Sequence, residues 1–292
     1  MPNPTILDPM NTIDGLYRSY QNNSTKPSVV VQGYLDEIER LNPRLGAYQN
    51  TWADTALEMA AAADKALAAG FVAGPFHGMP YALKDIFHVK GKVTTCGSAA
   101  MLDNIASTTS TMVQRLKAAG GIILGKTKTV ECAFGGWGTN QKMGTPMNPW
   151  DMKTHRIPGG SSSGTAVAVA SGMAPCGMGS DTGGSIRLPA AYCGLVGLKV
   201  TAGRLPLHGI MPLSQSLDTP GPIAQTVLDC LIMFDVLDGR EGWKIVQDLD
   251  NGDGLYAVLN RGVSGLRLGS LVDGERKQCS QDILASYDIS LD

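Results

Sequence analysis

The sequence predicts an α/β fold: a mixed, largely parallel twisted sheet covered by helices on both faces. Three observations carry the prediction. Short apolar segments alternate along the chain with segments of helical period, the pattern of strand–helix–strand units. There are 36 glycines among 292 residues, so tight backbone geometry recurs in a way that a plain helix bundle does not need. The chain is also long enough to bury a substantial core.

The elements follow in order. Residues 27–41 (PSVVVQGYLDEIERL) form an amphipathic helix with Pro27 in its first turn and Pro43 just beyond its end. Residues 52–69 are an alanine-rich helix closed by Gly70. GMPYALKDIF (78–87) reads as a short buried strand whose far end delivers Lys84 and Asp85. A helix over 107–121 leads into the apolar strand GIILG (121–125). TAVAVASG (165–172) is a small-residue helix, GLVGLKV (194–200) a strand, IAQTVLDCLIMFDVL (223–237) a helix and GLRLGSLVD (265–273) a further strand. The stretch 239–254 reads as the loosest part, and the tail 280–292 offers no further packing element.

Composition narrows the function. With 24 basic against 26 acidic side chains, no basic field exists to hold nucleic acid. Six scattered cysteines without a Cys-x-x-Cys pair give neither metal spacing nor a disulfide framework. His77, His88 and His155 show no metal-binding spacing either. The N-terminal MPNPTILDPM lacks the charged and apolar regions of a leader, and no apolar run is long enough to span a bilayer. The expectation is a soluble, reduced, cytoplasmic protein without a membrane partner, a metal or a cofactor.

Two motif matches mislead. Gly120–Thr127 fits the G-x-x-x-x-G-K-[ST] phosphate-binding pattern, but Ile122, Ile123 and Leu124 place a strand where a flexible cradle is required. Lys126 is therefore assigned to a core strand and its exit loop. Gly160–Gly164 fits G-x-S-x-G, yet the residues before it are not a buried strand, and His208 is the only histidine downstream.

Three features do converge. Lys84 ends an apolar segment, where burial would lower its pKa toward that of a usable base; the alternative is a surface lysine paired with Asp85. Ser161 follows Gly159-Gly160 and could relay a proton; the alternative is an N-cap for the following helix, a role Ser163 or a neighbour could also fill. Ser185 follows Asp181-Thr182-Gly183-Gly184, and backbone N–H groups in such a turn suit an oxyanion. Cys96 and Cys132 have no comparable glycine setting and are weaker nucleophile candidates.

The segments GMPYALKD (78–85), AAGGIILGKT (118–127), NPW (148–150), PGGSSSG (158–164), GSDTGGSIRLPA (179–190), GLVGLK (194–199) and SLDTPGP (216–222) resemble the amidase-signature hydrolases, in the family's order, from about residue 25 to 275. The resemblance implies an amidase domain over 1–292, with N-terminal helices to about residue 75, a core over about 76–275 and an incomplete C-terminal portion. It implies a Ser–cis-Ser–Lys triad: Ser185 the nucleophile, Ser161 the bridging serine and Lys84 the base. The spacing of 24 residues between the serines (185 − 161) fits the family and selects Ser161 among its neighbours. Thr182, Gly183 and Gly184 would line the oxyanion and substrate site, with Asp181 and Arg187 as a structural brace.

The implied activity is cleavage of a small-molecule carboxylic amide through an acyl-enzyme, by a possible homodimer. Val200 stands where the family commonly has Pro, and relatives continue well past the segment matching 265–273. A second reading is the amidase component of a glutamine-dependent tRNA amidotransferase, against which Thr219 stands where that branch shows Gln. A third is a catalytically silent fragment.

Overall fold

Six strands form one sheet: β1 (Tyr48–Thr51), β2 (Pro80–Lys84), β3 (Ile122–Thr127), β4 (Cys176–Asp181), β5 (Val196–Gly197) and β6 (Thr219–Ala224), in the order β1-β3-β2-β4-β6-β5. The structure is a computed structural model and describes residues 11–259, 261–267 and 269–291. The N-terminal stretch MPNPTILDPM, read for a leader, thus lies outside the described residues. The sheet is mixed. Its centre, β3-β2-β4, is parallel, whereas β1, β6 and β5 join by antiparallel pairing. Every residue of β2, β3, β4 and β6 is buried, as expected where protein covers both faces.

The helices are α1 (Ile13–Gln21), α2 (Pro27–Leu45), α3 (Ala53–Ala68), α4 (Thr111–Ala118), α5 (Ser163–Ala170), α6 (Arg187–Cys193), α7 (Val227–Asp238) and α8 (Gly242–Asn251). α3 packs on β3, α5 on the three parallel strands and α7 on β6. α2 buries Val31, Tyr34, Leu35 and Ile38 at helical spacing. It runs through Pro43, expected beyond its end, to stop where Gly46 takes a left-handed φ of 63°. A proline so close to the C-terminus removes one backbone donor without preventing the last turn from closing, as Gly46 N–H donates to Asn42 O at 2.8 Å. α1 adds to the expected elements; Thr12 caps it, and the buried carboxylate of Asp229 accepts from Ile13 N–H at 2.8 Å.

Several expectations change. β4 and β6 are strands that no apolar run announces. CGMGSD is glycine-rich, and TPGPIA carries two prolines that cannot donate to a ladder. Pro220 and Pro222 are two residues apart, so both face one neighbour. Leu198 N–H donates to Pro222 O, which puts them on the β5 side, where pairing lasts only two residues. The lost donors leave the six-residue ladder with β4 intact. Residues 223 and 224 consequently belong to β6, and Thr226 caps α7 by accepting from Asp229 N–H at 3.0 Å. The strand expected over 194–200 shrinks to β5. The stretch 239–254, expected to be loose, contains α8.

The chain divides into two compact units, Met1–Tyr256 and Ala257–Asp292. A further helix, α9, spans Gly254–Leu259. The second unit holds α10 (Asp273–Arg276) and α11 (Gln281–Ile289), the latter in the tail expected to lack any element. Arg276 bonds Asp288 within this unit at 2.6 Å. Residues 265–267 and 269–272 form no strand, and Leu268 lies outside the described residues. A strand exists by pairing, and the second unit offers no other strand among its described residues.

Candidate active site

The parallel pairing sets the C-terminal ends of β2 and β4 at one edge of the sheet, the edge where open α/β sheets present their sites. Lys84 ends β2, and Ser180 and Asp181 end β4. Beside β2, Thr127 pairs with Lys84, and the chain leaving β3 carries Thr129 and Val130. These two hold the Ser161 carbonyl, Thr129 Oγ1 donating at 2.8 Å and Val130 N–H at 3.3 Å. The Gly160–Ser161 peptide bond is cis.

This geometry brings Lys84 onto Ser161. The amine, wholly buried, donates to Ser161 Oγ at 2.8 Å and to Ser180 Oγ at 2.9 Å. Burial pushes its pKa down to about 7, with Cys96, Asp181 and Asp218 opposing that shift only in part. Lys84 is thus not a surface lysine paired with Asp85. Asp85, the first residue beyond β2, points elsewhere: its carboxylate accepts from Lys126 Nζ at 2.9 Å, Thr95 N–H at 3.1 Å and Thr95 Oγ1 at 2.5 Å. Lys126, the lysine of the phosphate-loop match, is buried inside β3. The final glycine of that match, Gly125, sits where a Cβ would fall on the backbone of Asn50 in β1.

Ser161 is not a helix cap. The cap position of α5 belongs to Ser162, whose side chain makes no capping bond and meets the Ser180 backbone instead. Gly160 packs so closely on the 135–138 segment that a Cβ would lie 2.6 Å from Gly138 N. His208, the remaining partner for a G-x-S-x-G elbow, is exposed on a turn whose carbonyl accepts from Thr111.

Ser185 lies across from this pair, tied to it by the Ser162 N–H, which donates to Ser185 O at 3.2 Å. Of Lys84, Ser161 and Ser185, only Ser185 reaches solvent, at 8% exposure against 0% for the others. The turn before it is organised by Asp181. Its carboxylate accepts from Gly184 N–H at 2.8 Å, Ile186 N–H at 3.1 Å and Arg187 Nε at 3.0 Å, while Arg187 Nη2 closes a second bond at 2.9 Å. Burial alone would raise the Asp181 carboxyl; Arg187 and the backbone donors outweigh it and hold it below the usual range.

One expected oxyanion donor is therefore engaged elsewhere: the Gly184 N–H points at Asp181. The N–H groups of Thr182, Gly183 and Ser185 donate to no backbone or side-chain acceptor among the described residues.

Sequence reasoning missed two residues. Ser180 is the second acceptor of the Lys84 amine; reading GMGSD as a strand would have put Ser180 and Asp181 on opposite faces. Asp218 accepts from Thr182 Oγ1, and from Leu213 and Ser214 N–H at 2.8 and 3.0 Å, so it fastens the 213–218 loop to the turn. A small cleft beside Ser180 is lined by Ile86, Ala133, Ile210, Met211 and Asp218.

Comparison with known proteins agrees with this architecture. The chain is 41% identical over 244 residues to the A-type subunit of the glutamyl-tRNA(Gln) amidotransferase of Chromohalobacter salexigens, covering 82% of this chain and 48% of that one. It is 43% identical over 230 residues to a 2-amino-5-chloromuconic acid deaminase of Comamonas testosteroni, covering 79% and 47%. Among solved structures, the native peptide amidase of Stenotrophomonas maltophilia superposes with a TM-score of 0.74 at 34% identity, covering 82% of this chain and 50% of that one. The chain thus spans about half the length of the curated relatives it matches. The profile of the amidase family matches residues 29–291, and the chain belongs to that family.

Proposed function

We propose that this chain carries the centre of an amide hydrolase, with Ser185 as nucleophile, Ser161 as bridging serine and Lys84 as base. One observation carries the reading: a wholly buried amine, pushed to about 7, bonds the Ser161 hydroxyl at 2.8 Å. With a pKa of about 7, roughly half of such an amine is neutral at pH 7. Its lone pair then takes the Ser161 proton while one N–H stays on Ser180.

Ser161 in turn takes the proton of Ser185 as Ser185 Oγ attacks the amide carbonyl. Charge develops on the carbonyl oxygen, and the uncommitted N–H groups of Thr182, Gly183 and Ser185 receive it. They are held in place beforehand by the Asp181–Arg187 brace, so little reorganisation accompanies the step. The proton returns along Ser161 to the leaving amine, and water, activated by the same relay, hydrolyses the acyl-enzyme. The substrate is a small carboxylic amide.

A second reading is favoured by the similarity to an amidotransferase component: release of ammonia from glutamine for a partner protein. Thr219, where that branch shows Gln, is buried and donates its hydroxyl to Asp181 O at 2.7 Å. Its side chain therefore serves the brace in either reading.

A fluorophosphonate probe tests the nucleophile. Mass mapping is expected to find the adduct on Ser185. An adduct on Ser161, Cys132 or no residue at all would overturn the assignment. Glutamine-dependent ammonia release that appears only with a partner protein would favour the second reading.

A further inference from the structure

Two cysteines that the relay does not use come together beside it. Cys96 lies in the turn after β2, and Cys132 in the turn after β3. Cys132 N–H donates to Cys96 O at 2.8 Å, and Cys96 N–H donates to Asp85 O at 2.9 Å. A direct backbone bond of that length leaves the two Cα atoms within roughly the 4.4–6.8 Å that a disulfide spans. Burial raises the Cys96 thiol to about 12, and the Cys132 side chain acts on it directly in the same sense. Cys96 is 3% exposed and Cys132 is exposed. Both hold left-handed backbone, with φ of 52° and 50°. That conformation costs a non-glycine residue roughly 1–2 kcal/mol, so the surrounding bonds fix where each Cβ points.

We propose that Cys96 and Cys132 form a reversible oxidation site for a peroxide. The Cys132 thiol gives up its proton, its sulfur attacks the O–O bond and keeps one oxygen as a sulfenic acid, and the other leaves as hydroxide that takes up that proton to become water. The Cys96 sulfur then displaces that hydroxyl, which leaves as water with the Cys96 proton, and the S–S bond forms. Two thiols lose two electrons, and one hydrogen peroxide becomes two waters. Cys132 is exposed to a peroxide, while burial keeps the Cys96 thiol protonated, so its proton must leave as its sulfur attacks; the contact between the two cysteines, not the acidity of Cys96, favours the step.

The consequence for turnover rests on the proposed function. The bond would join the turn after Lys84-Asp85 to the strap that holds Ser161. Asn140 already spans the two, donating to Gly97 O at 2.7 Å and Thr129 O at 3.0 Å.

The test treats the reduced full chain with hydrogen peroxide, blocks remaining thiols and maps peptides by mass. The expected product joins the Cys96 and Cys132 peptides with loss of two hydrogens, and dithiothreitol reverses it. Cys132→Ser should not form it, nor should Cys132→Gly, which the left-handed backbone accepts readily. Both thiols still free, Cys132 as a sulfinic acid beside a free Cys96, or a bond to another cysteine would overturn the site. A bond that forms while amide turnover stays unchanged would overturn the coupling. Absence of turnover before oxidation would count against the amidase reading and leave the mapped bond to decide the oxidation site.

Discussion

Titrating the relay asks whether Lys84 is a base. Lowering its pKa from 10.5 to about 7 corresponds to roughly 5 kcal/mol of bias against the charged amine. At an ordinary value, about one amine in 3,000 would be neutral at pH 7, against about half here. The log of kcat/KM should therefore rise with pH along an acidic limb centred near 7, falling about tenfold for each pH unit below it. The groups that oppose this value face Lys84 from other elements: Cys96 from the turn after β2, Asp181 at the end of β4 and Asp218 from the loop before β6. Lys84→Arg supplies the control, because a guanidinium remains charged throughout and cannot accept the proton. The assay is ammonia release from a panel of primary carboxamides between pH 5 and 10, with folding of the variant checked by circular dichroism. A limb centred above about 9, or a Lys84→Arg variant within about tenfold of the parent, would refute the argument.

Three further outcomes are expected. Ser185→Ala should lower turnover by on the order of 10⁴-fold or more and abolish fluorophosphonate labelling; turnover near the parent's would exclude Ser185 as nucleophile. Lys126→Ala should leave Asp85 buried without its cation, costing about 3–5 kcal/mol read as a lower urea midpoint. An unchanged midpoint, or ATP binding lost in the variant, would contradict the structural role. Asp229, raised by burial to about 6 with one oxygen unpartnered among the described residues, should make stability fall as pH rises from about 4 to 6, since the folded state there holds the extra proton. Relative to the parent, Asp229→Asn should gain up to about 3 kcal/mol between pH 4 and 7 in urea melts, and the opposite trend would refute the sign.

Where the sequence was legible, one period dominated its segment. PYALK and IILGKT are strands buried on both faces, and the helices over 27–45 and 53–68 show their apolar positions at helical spacing. The serine spacing and the apolar approach to Lys84 singled out residues that the fold brings to one edge of the sheet, where Lys84 bonds Ser161. What stayed hidden depends on partners distant in sequence. Cys176–Asp181 becomes a strand only because β2 and β6 flank it, and TPGPIA tolerates its prolines only because β5 is short. Ser180 and Asp218 were missed with these segments. The commitment of the Gly184 N–H to Asp181 could not be read from the turn's composition, which fits either use of that donor.

The two buried lysines show that burial alone does not decide how readily an amine gives up its proton. Both are wholly inside, and burial lowers both. Lys126, however, meets the Asp85 carboxylate at 2.9 Å, and that contact favours its charged form. Lys84 meets two hydroxyls and, among the described residues, no carboxylate within ion-pair distance. Hydroxyls can bond either protonation state, whereas a carboxylate holds an ammonium. The division is made at the end of β2: Asp85, the first residue beyond the strand, turns its carboxylate to Lys126 rather than to Lys84. With Asp85 paired to Lys126, the Lys84 amine is left to two hydroxyls, the setting that the proposed base requires and a local Lys-Asp ion pair would deny it.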